Sequence, residues 1–178
     1  MKKRLLFLIV LAGTLFLSSC FWGESRLDML NKNVMNDHKL VDTRMEQVLE
    51  AIKNKDKDAL RSLFSESALE EAVDFENRME YLFSFFQGEV ISYDRYGLSV
   101  SEKFEGGLKV KESNVYYHII TDQQEYYAFF VQTFVDAKQP ENVGIYALRI
   151  VKVEDDEDLF CYYDEMEAGI FQYEHSLD

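Results

Sequence analysis

Apolar positions along the chain change period once, near Gly88. Upstream of it, Val41, Met45, Val48, Leu49 and Ile52 recur at spacings of four, three, one and three, which puts them on one face of a helix. The polar run 53–58 interrupts that face. Within it Asp56 is the expected N-cap of a short second helix carrying Ala59, Leu60, Leu63 and Phe64. Ser67 followed by Glu70 reads as a capping box, opening a third helix whose inward set is Ala72, Val73, Met79, Leu82, Phe83 and Phe86, with Gly88 as its stop. Downstream, residues 90–100 and 108–121 are rich in Val, Ile, Tyr and Ser, and Gly106-Gly107 marks a turn between them. Segments 126–135 and 145–153 follow as two more strands, separated by a loop that holds the only proline, Pro140.

Helices first and then strands joined by short turns predict an α+β fold: three N-terminal helices packed on a curved antiparallel sheet. Parallel neighbours would each need a long crossover, and the turns are too short for that. Segment 125–135 is apolar on both alternations, which predicts a central strand. In the strand before it, alternation sets Tyr116 and His118 on the face opposite Val115, Tyr117 and Ile119. A three-residue turn at 122–124 makes residues 118 and 127 approximate partners. Tyr116, His118, Tyr127 and Phe129 are therefore the candidate pocket wall.

The start of the chain follows a different logic. Lys2, Lys3 and Arg4 precede an uncharged apolar stretch, residues 5–17, and then Ser18, Ser19 and Cys20. Thirteen apolar residues fall short of the roughly 20 needed to span a bilayer, so the segment reads as a cleaved signal. Leu17-Ser18-Ser19-Cys20 resembles the four-residue box of bacterial lipoprotein signals. That resemblance implies cleavage before Cys20 and acylation of its thiol, which would partner the protein with the lipid bilayer on the extracytoplasmic face of the cell membrane. The organisation expected is a signal peptide at 1–19, a tether at 20–36 and a single domain at 37–178. Two acyl chains give a stable anchor where one is marginal.

Charge narrows the partners. Lysine and arginine number 19 against 33 acidic residues, and loss of Lys2, Lys3 and Arg4 takes the net charge from -14 to -17. A surface of that sign repels phosphate backbones, so nucleic acid is excluded as a partner. The only cysteines are Cys20 and Cys161, and a lipidated Cys20 leaves no disulfide. Cys161 sits among acidic residues, which disfavours a reactive thiolate.

Three segments, "VLEAIKNKDKDALRSLFS", "LFSFFQGEVIS" and "ENVGIYALRIVK", in that order after a lipoprotein signal, resemble a cystatin-like lipoprotein family of Gram-positive bacteria of uncharacterised function. The wider superfamily resembles nuclear transport factor two and the polyketide cyclases. The resemblance implies a cone of curved sheet around helices, often with a pocket inside, and brings no catalytic residues with it.

Chemistry is sparse. Histidines His38, His118 and His175 are too scattered for a zinc site, and the acidic run 154–158 lacks the alternation and central glycine of a calcium loop, so no metal or cofactor is expected. No phosphate-binding glycine loop or nucleophile elbow occurs. His118, among aromatics, and Asp94, unless it pairs with Arg95, are the residues to which a pocket enzyme of isomerase-like or hydrolase-like type would turn. The 14 phenylalanines and 11 tyrosines favour instead a non-catalytic binding module for a small apolar ligand, a glycan or a protein partner.

Overall fold

A computed structural model describes residues 26–155 and 167–172, and the chain divides into two units, 1–39 and 40–178. The described part of the first unit is helical. In the second, the amphipathic period is realised in the rest of α1 (Arg26–Asn54), where Val41, Met45, Val48, Leu49 and Ile52 are all buried. Helical backbone starts inside the 20–36 span assigned to the tether. No glycine or proline lies between Gly23 and Gly88, so no backbone breaker stops the helix where its apolar stripe fades.

Lys55 ends α1 in the left-handed conformation, at φ 53°, and Asp56 N–H bonds back to the Ala51 carbonyl at 2.9 Å. Asp56 then caps α2 (Lys57–Ser62) as its sequence position predicts, its carboxylate accepting the Ala59 N–H at 2.9 Å. Replacing Asp56 with Ala is expected to cost about 1 kcal/mol. A lower urea midpoint at unchanged slope is the readout.

The third predicted helix is two helices. Ser65, not Ser67, is the N-cap of α3 (Glu66–Glu71), with its hydroxyl accepting the Ala68 N–H at 3.2 Å. The chain then breaks before α4 (Phe75–Phe85), with Asp74 at φ 52° and Val73 exposed instead of in the core. The break lets Ala72 and Phe75 close on Gly169, where a β-carbon would stand 2.7 Å from Ala72 Cβ. That partner is almost a hundred residues away in sequence, and no local pattern announces it.

Five strands form one open sheet in the order β1-β2-β3-β4-β5: β1 (Val90–Glu105), β2 (Leu108–Thr121), β3 (Glu125–Asp136), β4 (Gly144–Lys152) and β5 (Gly169–Ile170). The first four are antiparallel, and β3 takes the middle place its apolarity foretold. Two expectations are corrected. β5 pairs with β4 in parallel, through Ala147 with Gly169 and Leu148 with Ile170, so the sheet is mostly and not wholly antiparallel. Sixteen residues separate Lys152 from Gly169, long enough for the return that a parallel pair requires. The helices are also not all N-terminal, since short 3-10 turns occupy Pro140–Asn142 and Val153–Asp155.

Turns fix the register. Gly106 and Gly107 both have positive φ, 61° and 87°, as a two-residue type I′ hairpin requires. The three-residue turn after Thr121 sets His118 opposite Tyr127 and Tyr116 opposite Phe129. One face of the sheet packs on the helices: Val115, Tyr117 and Ile119 of β2 and Tyr126, Ala128 and Phe130 of β3 join Met45, Leu60 and Met79 in a single core. Tyr126 closes its upper end, stacking on Phe86 at 4.6 Å while its hydroxyl accepts the Gln87 N–H at 2.7 Å. A fully buried phenol is tolerated there because its polar tip is bonded.

Candidate functional site

Strand alternation that fills one face with core side chains sends the intervening ones to the other face. On that outer face one register row runs Asp94, His118, Tyr127, and the next runs Gly97, Tyr116, Phe129. An irregularity between Arg95 and Gly97 inserts Tyr96 between the rows. Its ring lies 5.9 Å from that of Tyr116 and 5.7 Å from that of Tyr127. Gly97 makes room: a β-carbon there would stand 2.8 Å from Cδ2 of Tyr116. Tyr116 in turn contacts Phe129 at 4.6 Å, and His118 contacts Tyr127 at 5.3 Å.

The four residues of the candidate wall are thus brought together, in adjacent rows, on the face turned away from the helices. Tyr96 is 55% exposed, whereas Tyr117, Ile119 and Phe130 fill the opposite face completely. His118 is bonded through Nε2 to Glu125 Oε2 at 2.8 Å, their side chains 31% and 51% exposed. Sequence reasoning missed Tyr96, which reaches the cluster only through the strand irregularity, and missed Glu125 as the carboxylate partner of His118.

A second polar group bridges helix and sheet. Arg95, considered as a partner for Asp94, instead bonds Asp42 of α1, which also accepts from the Tyr117 hydroxyl at 2.7 Å. One turn further on, Glu46 accepts from the Tyr93 hydroxyl at 3.0 Å. Burial, then the bond to Glu46 and the charges of Glu46 and Asp42, push the Tyr93 phenol up to about 12. Burial and Asp42 push Tyr117 up further, with Arg95 opposing. Because both folded values exceed the ordinary phenol value of about 10, this pair's contribution to stability is whole below that pH. It drains as pH rises toward and past about 12 for Tyr93. Alkaline titration followed at the tyrosinate band should show Tyr93 and Tyr117 among the phenols that ionise late, with Tyr81, Tyr126 and Tyr146 also raised by burial or a carboxylate partner, and Tyr93→Phe should remove one late phenol.

Between α1 and the start of β1 lies a groove of about 390 Å³, lined by Glu46, Leu49, Ile52, Phe83, Phe86 and Tyr93 among others. Its polar rim is internally engaged, Tyr93 with Glu46 and Lys53 with Glu89 at 3.2 Å. Leu49, Ile52 and Phe83 on its floor are buried, while Phe86, Val90 and Tyr93 are half-buried and give it apolar walls.

A family model described as Domain of unknown function (DUF5104) matches residues 47–153. The chain belongs to this family. The match contains every residue of the two outer-face rows, together with Tyr96 and Glu125, so the aromatic cluster lies wholly within the DUF5104 domain. No curated protein matches the chain. Cys20, Cys161 and His175 lie outside the described residues. Among the described residues no helix is long and apolar enough to cross a membrane.

Proposed function

We propose that the protein is a non-catalytic binding module, held on the extracytoplasmic face of a bacterial membrane by acylated Cys20, which engages its partner through the outer face of β1, β2 and β3. The observation that carries this reading is a tyrosine cluster on the sheet face away from the core, with Tyr96 exposed, Tyr116 and Tyr127 half-buried and Phe129 buried. Tyrosine offers a large rigid contact area with a hydrogen-bonding tip and loses little conformational entropy on binding. The lipoprotein-like signal supports the anchor. The packing of Val41, Met45, Val48 and Ile52 of α1 on a mostly antiparallel sheet supports the finer kinship with the cystatin-like lipoproteins and their cone.

Two variants test the location of the surface against a panel of immobilised peptides and glycans. Tyr96→Ala combined with Tyr127→Ala should weaken whichever probe is bound by about tenfold, close to 1.4 kcal/mol. Glu50→Ala, at the groove, should leave it unchanged. The opposite pattern would move the site to the groove and overturn the proposal.

The bond between His118 and Glu125 favours one second reading, a surface enzyme of isomerase-like or hydrolase-like type in which the carboxylate orients the imidazole as a base, with Asp94 as its cross-strand neighbour. If turnover of any ester or glycoside substrate is found, His118→Gln should lower it by about a hundredfold or more. A binding module shows no turnover to lose.

A further inference from the structure

Resting on the binding-face reading, we infer that this face selects a cationic ligand, a lysine- or arginine-bearing segment of a partner polypeptide. Four register rows of β1 to β3 surround the tyrosines: Ser92, Ile120 and Glu125; Asp94, His118 and Tyr127; Gly97, Tyr116 and Phe129; Ser99, Asn114 and Val131. On these three strands their ionisable groups are two carboxylates and one imidazole, and the row of Tyr116 and Phe129 continues on β4 to one arginine, Arg149. Asp94 and Glu125, both exposed, stand on either side of His118 on neighbouring strands. On β4, Arg149 lies over the Phe171 ring at 4.1 Å.

The chemistry of such a surface is specific. A tyrosine ring carries negative potential on its face and attracts a cation placed within about 6 Å of its centre. Tyr96 lies between two further tyrosines, so a lysine ammonium or arginine guanidinium resting on it stays within reach of Asp94 and Glu125. Serine and asparagine side chains of the same rows, Ser92, Ser99 and Asn114, complete a set able to hydrogen-bond an extended backbone. The net charge of -14 steers a basic partner toward the protein at long range, and the aromatic rows supply the short-range discrimination. A neutral glycan would gain from the rings but nothing from the carboxylate excess, and an acidic partner would be repelled.

Calorimetry with three probes decides the point: a synthetic peptide of alternating lysine and serine, the same peptide with glutamate for lysine, and chitohexaose. The lysine peptide is expected to bind, and the glutamate peptide is not. Tyr96→Ala, which leaves the charge untouched, should weaken the lysine peptide by about three- to fivefold. Asp94→Asn with Glu125→Gln should weaken it at least about tenfold at low salt and flatten the salt dependence. Glu70→Gln with Glu141→Gln, which removes two exposed carboxylates away from the face, should change affinity by less than about twofold. Equal losses in both double variants would show unspecific attraction to an acidic protein and overturn the inference. Tyr96-dependent binding of chitohexaose without the lysine peptide would overturn it too, while leaving the binding face intact. Lysine-peptide binding that ignores Tyr96 and the outer carboxylates would overturn the inference and count against the face itself.

Discussion

Phe130→Ala is expected to destabilise the protein by about 3–5 kcal/mol. Phe130 sits in the middle strand, is fully buried, and stacks on Tyr117 at 6.2 Å with the rings inclined by 14°. Its register partners are Val115 on β2 and Leu148 on β4, both buried and both held by ladders on their far sides. Neighbours so constrained relax poorly into a vacated volume, so the cavity cost adds nearly in full to the lost transfer energy. For a domain whose whole stability is of the order of 5–15 kcal/mol, that is a large fraction. Urea unfolding gives the number, and a loss below about 1.5 kcal/mol would mean that the helices and sheet do not share the core described.

Gly144→Ala should cost about 2–4 kcal/mol by a different mechanism, backbone strain. Gly144 has φ 138°, and a β-carbon there would stand 2.6 Å from the Ser65 nitrogen and 2.8 Å from the Phe64 carbonyl carbon. Those backbone atoms cannot yield easily. Ser65 N–H bonds the Ile145 carbonyl at 3.0 Å, and Ile145 N–H bonds the Leu63 carbonyl at 2.9 Å, clamping the segment before α3 to the first residues of β4. Gly97→Ala makes the informative contrast, since its β-carbon meets the side chain of Tyr116 and no backbone. It should shift the Tyr116 ring, and with it binding, at a smaller cost in stability. Thermal unfolding of the two variants side by side checks the order.

Local patterns carried much of this fold into view. The 3.6-residue period from Val41 to Ile52, the Asp56 cap, the Gly106-Gly107 turn and the pairing of His118 with Tyr127 are all encoded within a few residues of where they act. What escaped depends on distant partners. The break between α3 and α4 accommodates Gly169, the parallel β5 returns from beyond β4, and Arg95 finds Asp42 more than fifty residues away. The site divides the same way. Alternation shows that Tyr116 and His118 share a face, but both faces of β2 and β3 carry aromatics, so the pattern alone does not say which face the helices take. Tyr117 and Phe130 win the core, and Tyr116 and Tyr127 are left half-buried on the other face.

Amide chemical-shift mapping on isotope-labelled protein tests the location of binding most directly, with the lysine–serine peptide and chitohexaose added in turn. Shifts centred on Tyr96, Tyr116, His118 and Tyr127 are expected with the bound probe, leaving Leu49, Phe83 and Tyr93 unmoved. Shifts centred on those groove residues, with the outer rows of the sheet unmoved, would contradict a binding module that works through its outer face.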